Sequence, residues 1–293
     1  MAYRSLFMAP DWQHARYLGW KDEWRDPGLR VLTRRSGPFE RRLIVSEIAD
    51  PDQLSDLIGD LAEDPRLRSE TIVHDMTGSE GVAARLGQMG FGVMGPDERL
   101  LNRATFVIDL TLDEEALLAA MSSDCRRKVR LAEKSGVEFI ADAHLDPAAV
   151  RQFEVAYHAI AVERGLQKLD HRVTRRMLAE GWAHLYATRH EGKFTHFLLS
   201  YQADGTGFFL KGASIGRDTS GAGHALQWGV IRHMKQAGLR WYDMGGLAHL
   251  TSEDGIFRFK KGFGGELVML GDEYRRSGAA VRLARYVRDM FQR

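Results

Sequence analysis

The pattern that most constrains the fold runs from residue 184 to residue 246. "HLYATRHEGKF" and "THFLLSYQADGTGFFLKGAS" are β-like runs, and "ADG" marks a hairpin turn. "HALQWGVIRHMKQAG" follows, with Leu226, Val230, Ile231 and Met234 on one helical face. "LRWYDMGG" reads as one more strand. Strands and helices mixed in this way predict an α/β chain.

The remaining sequence keeps the mixture. "LRVLTRRSG", "RRLIVSEIA", "SETIVHDM" and "ATFVIDLT" read as strands. "PDQLSDLIGDLAED" places Leu54, Leu57, Ile58 and Leu61 at helical spacing behind Pro51, and "GVAARLGQMG" is a short helix stopped at Gly90. "LDEEALLAAMSSDCRRKVRLAEKSGVEFI" predicts helix, helix, a stop at Gly136 and a strand. "DPAAVRQFEVAYHAIAVERG" is a long helix, "TRRMLAEGWA" another, "GELVML" a strand, and "GAAVRLARYVRDMFQR" a basic amphipathic helix. The best boundary lies near residues 104–112, giving domains 1–108 and 109–293, the second carrying the basic terminal helix.

A length of 293 residues suits two domains or one large α/β domain. The formal net charge is +1, so a basic surface must come from local clustering. The single cysteine, Cys125, excludes an intrachain disulfide and a four-cysteine zinc site, and suits a reducing compartment. No stretch approaches about 18 consecutive apolar residues, and the first residues show no h-region, so the expected location is cytoplasmic. The histidines form no HExxH-type spacing, so no metal is expected. No GxSxG or cysteine–histidine signature appears, and Cys125 reads as a plain thiol.

"GIFRFKKGFGGE", residues 255–266, sets two lysines among three phenylalanines. A buried charge is costly unless something pairs with it. On a helical turn, Ile256, Phe259, Lys260 and Phe263 share a face, and Lys260 points inward while Lys261 points aside with Phe257. On a strand, Lys261 joins Phe257, Phe259 and Phe263 instead. The helical turn is preferred, because Gly262 and Gly264 suit a stop soon after. Two surface lysines with apolar stems are the competing reading.

Three further stretches carry chemistry. In "CRRKVRLAEKSG", Arg127, Arg130 and Lys134 form a basic stripe widened by Arg126 and Lys128, suited either to phosphate contact or to a solvated face pairing with Asp124 or Glu133. Arg282, Arg285 and Arg288 of the last helix take the same two readings, with a membrane-surface helix as a third. In "GRDTSGAGHALQWG", Gly221 and Gly223 open a helix as a phosphate-binding loop would, but Asp218 stands where a basic residue or glutamine is expected. The alternative is a glycine-rich cap.

"TFVIDLTLDEEALLAAMSSDCRRKVRLAEKSGVEF", "LRWYDMGGL" and "GIFRFKKGFGGELV" together resemble the FemABX peptidyltransferases over roughly residues 104–270. The resemblance implies two tandem domains of the Gcn5-related N-acetyltransferase (GNAT) type, with mixed central sheets flanked by helices and a reduced amino-terminal domain. It implies aminoacyl-tRNA as donor, with no other cofactor, and an amine on a peptidyl acceptor. The amino-terminal part is short, and the coiled-coil arm of some members is absent. The expected acceptor is a soluble peptidyl intermediate, as in peptide antibiotic assembly, and next a peptidoglycan precursor.

With that resemblance, Lys260 and Asp243 are the expected catalytic residues. Lys260 would steady the oxyanion of ester aminolysis or meet the terminal adenosine phosphates, and Asp243 would orient the donor amine, accept a proton through water, or merely cap the next turn. Lys261, Tyr242, Lys211, Arg258, Gly245 and Gly246 are expected to bind substrate. Arg126, Arg127, Lys128, Arg130 and Lys134 are expected to bind tRNA. An acyl-CoA-dependent N-acyltransferase and a non-catalytic RNA- or peptide-binding module remain as rivals.

Overall fold

A computed structural model describes residues 5, 8, 20–26, 28–62, 69–95, 98–166, 168–216, 220–247 and 249–291. The chain divides into two compact units. One is built on the continuous stretch Thr105–Val268. The other is split, combining Arg4–Ala104 with Met269–Arg293.

In the split unit, β1 (Lys21–Asp26), β2 (Leu29–Ser36) and β3 (Phe39–Ser46) are an antiparallel run, and α1 (Pro51–Ala62) crosses to β4 (Ser69–Asp75), which lies parallel to β3. Asp50 starts α1, its carboxylate accepting from the N–H groups of Asp52 at 2.9 Å and Gln53 at 3.2 Å. Pro51 follows in the first turn, where a missing N–H is harmless. Leu54 and Ile58 then face a core shared with Val31, Ile44 and Val73. The helix α2 (Glu80–Gln88) adds Val82 and Leu86 to it, and β5 (Gly92–Val93) is an edge.

The continuous unit holds β6 (Ala104–Asp109), α3 (Glu114–Ala120), α4 (Ser123–Lys134), β7 (Glu138–Ile140), α5 (Pro147–Glu163) and α6 (His171–Ala179). The meander β8 (Ala183–His190), β9 (Lys193–Ala203) and β10 (Thr206–Ser214) comes next. Then follow α7 (Ala222–Gln236), β11 (Trp241–Leu247), α8 (Gly255–Lys261) and β12 (Glu266–Met269). Its sheet runs β12-β6-β11-β10-β9-β8-β7. The expected face of α7 is the buried one: Leu226, Val230, Ile231 and Met234 are all at most 4% exposed. On α5, Phe153 meets Phe197 of β9, their ring centroids 6.1 Å apart. The helix α6 begins three residues before the expected "TRR", because Asp170 caps it through Arg172 and Val173 N–H.

The carboxyl-terminal segment, grouped by sequence with the second domain, belongs to the split unit. There β13 (Asp272–Ser277) pairs antiparallel with β4 and β5, and α9 (Ala279–Phe291) follows. The order is β1-β2-β3-β4-β13-β5, a mixed sheet like that of the continuous unit. β13 has no apolar alternation to announce it. Instead it buries Glu273 completely, and that carboxylate accepts from the N–H groups of Leu100 at 2.7 Å and Leu101 at 3.0 Å. Both sheets are mixed and flanked by helices, the α/β class the sequence implies.

The return into β13 depends on Gly271, whose φ is +85° and whose missing Cβ would lie 1.7 Å from the Asp75 carbonyl oxygen. Gly271→Ala adds left-handed strain to that clash. The expected loss is on the order of 3 kcal/mol, or roughly 10 °C in Tm, read by thermal melts. An unchanged melt would mean that β13 does not pair as described.

Candidate active site

The site grows from a divergence of two parallel strands. β10 and β11 pair at Thr206–Trp241, Gly207–Tyr242 and Phe208–Asp243. Both strands continue past this point without pairing to each other, β10 to Ser214 and β11 to Leu247. A bulge between Phe209 and Lys211 marks where β10 turns away. The carbonyls of Gly245 and Gly246 therefore lack β10 as a partner.

Lys260 takes both. Its Nζ donates to Gly245 O at 2.7 Å and to Gly246 O at 2.9 Å, and lies 5.3 Å from the centroid of the Phe209 ring. Lys260 is only 6% exposed, and among the described residues it has no ion pair. Burial lowers its pKa from 10.5 to about 8, with Asp243 and Asp254 opposing the shift. An ammonium has three N–H groups. Two are used here, and among the described residues the third has no partner.

Asp243 fixes the glycines. Its Oδ1 accepts from Gly245 N–H at 2.7 Å and from the Thr105 hydroxyl, and Thr105 also lies 3.0 Å from Gly245 O. Gly245 has φ +80°, and a Cβ there would come 2.8 Å from the Phe209 ring, so only glycine fits. Tyr242 does not reach this space. It is fully buried, and its hydroxyl donates to Gln227 Oε1 at 2.7 Å, tying β11 to α7.

The helical turn carrying the lysines is α8. Asp254 caps it, accepting from Phe257 N–H at 2.7 Å. Its buried face differs by one position from the expected one. Phe257, Lys260 and Phe263 are buried, while Ile256 is 47% exposed. The cap sets the helix phase, and Phe257 then packs on Phe106 with centroids 5.4 Å apart. Lys261 is exposed with its Nζ 5.8 Å from the Phe257 ring, and Arg258 is exposed. Lys211 is half-buried on β10, but its Nζ lies over Tyr157 of α5 at 5.5 Å, and burial lowers its pKa. The site thus brings together Lys260, Asp243, Gly245 and Gly246. Sequence reading missed Thr105 and Phe209, for which no local signal exists, and Asp254, whose position three residues before Phe257 is a cap signature.

The basic stripe on α4 is divided. Arg126 donates to the carbonyls of Leu118 at 3.2 Å, Ala119 at 3.0 Å and Met121, capping α3. Arg127 and Lys128 both pair with Asp124, at 2.6 and 3.0 Å, and hold its carboxyl below the usual value, Lys128 first. Arg130 and Lys134 are exposed and pair with no acid among the described residues. The glycine opening α7 has a packing reason: at Gly221 a Cβ would lie 2.4 Å from Lys128 O. Asp218 lies outside the described residues. Cys125 is buried against Met121, Sγ to Sδ 3.8 Å, and burial pushes its pKa up to about 12. Among the described residues no cluster suits a metal ion, and no helix is long and apolar enough to cross a membrane.

The fold that frames this site is of the GNAT type. Residues 119–261, slightly under half the chain, match the family model described as an acetyltransferase (GNAT) domain. The chain is similar over its length to the crystal structure of FemX, at 16% identity and TM-score 0.71, covering 96% of each chain. A second similar structure is the carboxyl-terminal domain of a putative lysylphosphatidylglycerol synthetase from Agrobacterium fabrum, at 14% identity and TM-score 0.60, covering 92% of this chain and 88% of that one. A third is a tandem GNAT protein from the clavulanic acid biosynthesis pathway, at 14% identity and TM-score 0.52, covering 85% and 78%. No curated protein matches the chain in sequence. The tandem GNAT-like architecture implied by the FemABX resemblance is the architecture of this chain.

The depressed pKa of Lys260 has a consequence for stability. Between about pH 8 and 10.5 the unfolded chain holds this proton and the folded chain does not. Raising the pH through that window therefore stabilises the native state, and below it the burial cost is fully present. Lys260→Met lacks the effect. Relative to the variant, the wild type is expected to gain on the order of 3 kcal/mol across the window, read from urea denaturation. A pH-independent difference would exclude a depressed lysine.

Proposed function

We propose that the chain is a transferase that moves an aminoacyl group from aminoacyl-tRNA to the amine of a peptidyl acceptor, forming a peptide bond. One observation carries this reading: a buried ammonium held by two carbonyls and, among the described residues, without an ion pair and with one N–H unused. The neutral acceptor amine attacks the ester carbonyl carbon, the C–N bond forms, and the carbonyl oxygen becomes an oxyanion. The remaining N–H of Lys260 is suited to that oxyanion. Collapse then breaks the bond to the ribose oxygen, which takes the proton released by the attacking nitrogen. Asp243 acts through position, since its carboxylate sets Gly245 and so the carbonyls that aim Lys260.

The FemX-like fold and the FemABX resemblance support an aminoacyl donor, and the short amino-terminal domain favours a soluble peptidyl acceptor, as in peptide antibiotic assembly. The tandem GNAT neighbour from clavulanic acid biosynthesis is described with reference to AcCoA and goes instead with the acyl-CoA reading. A peptidoglycan precursor is the next acceptor class. The match to an acetyltransferase model favours a second reading, acyl-CoA as donor. Assays with labelled aminoacyl-tRNA and with acetyl-CoA, each with candidate acceptor amines, separate the two. Transfer from the thioester alone would reject the tRNA reading.

Lys260→Met is expected to lower turnover by on the order of 10²–10³ while Lys261→Met changes it little. If the cation is required, turnover falls as pH rises through about 8, and Lys260→Arg moves that limb upward. Equal rates in wild type and Lys260→Met would reject the mechanism.

The α4 stripe gives a separate test. Arg130→Ala and Lys134→Ala are each expected to lower the log–log salt slope of tRNA binding by roughly 0.7–0.9, and Arg127→Ala, already paired with Asp124, by less. Unchanged slopes in the first two variants would make the stripe a solvated face.

A further inference from the structure

The terminal helix α9 presents its apolar side outward. Leu283, Tyr286, Val287 and Met290 fall at positions i, i+3, i+4 and i+7, one stripe of a helix. They are 64%, 65%, 43% and 61% exposed. Val281, 9% exposed, packs inward. The helix is tethered at its start, where Val281 N–H and Arg282 N–H donate to Gly278 O and the Arg282 guanidinium donates to Ser277 O at 2.5 Å. Among the described residues nothing covers the stripe.

Two observations choose the occupant. The helix sequence carries Arg282, Arg285 and Arg288 against one acid, Asp289. A basic helix with a strong apolar stripe and a low overall hydrophobicity is the type that lies in an anionic membrane interface. The stripe is also too small for a stable dimer. Four side chains on a helix of 13 residues offer roughly 400 Å², about half of what each partner of a stable interface buries.

We infer that α9 is an interfacial helix that docks this protein reversibly on anionic lipid surfaces, its Leu283–Tyr286–Val287–Met290 stripe entering the acyl boundary and the net positive charge of its sequence drawing it to the headgroups. The helix spans about 20 Å and lies in the interface plane, and a single such element gives weak, salt-sensitive binding. The inference stands independently of the transfer reaction.

The test is cosedimentation of the full chain with vesicles of phosphatidylglycerol and phosphatidylcholine, and with phosphatidylcholine alone, at low and high salt. Binding is expected on the anionic vesicles only and is expected to fall as salt rises. The double variant Leu283→Gln, Met290→Gln keeps helix propensity and charge, and is expected to bind at least about tenfold more weakly with an unchanged melt. Arg285→Gln is expected to weaken binding about fivefold. No binding to anionic vesicles at low salt would overturn the inference, and so would equal binding by the double variant. A concentration-dependent dimer that the double variant abolishes would also overturn it and assign the stripe to a second copy.

Discussion

The candidate site depends on one interaction: the ammonium of Lys260 clasped by the carbonyls of Gly245 and Gly246. A lone buried cation is costly, and two carbonyl dipoles with an aromatic face offset only part of that cost. The divergence of β10 from β11 makes the arrangement possible, because paired strands would have spent those carbonyls on each other. The same contacts organise the neighbourhood. Thr105 and Gly245 N–H hold Asp243, Asp243 holds the turn at Gly245, and the cap at Asp254 sets the phase that sends Lys260 inward and Lys261 out.

Desolvation and dipoles act against each other here. Burial lowers the proton affinity of the lysine to a value near neutrality, and the carboxylates of Asp243 and Asp254 keep it from falling further. An anionic oxygen arriving at the third N–H would restore the charged form. The binding strength of such an oxygen and the protonation of Lys260 are therefore linked, each promoting the other.

Much of the architecture was legible because its signals are local. The faces of α5 and α7 follow a period of 3.6, and the β9–β10 hairpin is announced by Asp204 and Gly205. The strand β13 was not legible. Its residues "DEYRRS" look solvated, and tertiary partners, the N–H groups of Leu100 and Leu101 with His74 alongside, make Glu273 a core residue. Hence the sequence groups the carboxyl-terminal segment with the second domain, while β13 joins the sheet of the split unit. At the site, the helical turn was readable from its glycines, but its phase came from a cap at Asp254. The pairing of Thr105 with Asp243 spans 138 positions and leaves no trace in spacing. The stripe on α4 looked uniform in sequence, and Asp124 divides it in space.

Cys125 has a practical meaning. It is the single thiol of the chain, it is buried, and its proton is held up to about 12. Thiolate is the reactive form, so maleimides and nitroxide reagents should pass it by at neutral pH while the protein is folded. A cysteine introduced on the surface would then be the preferred target in an otherwise native background. Conversely, the slow uptake of a thiol reagent by the unaltered protein would count openings of the α3–α4 packing, making this residue a built-in clock for local unfolding.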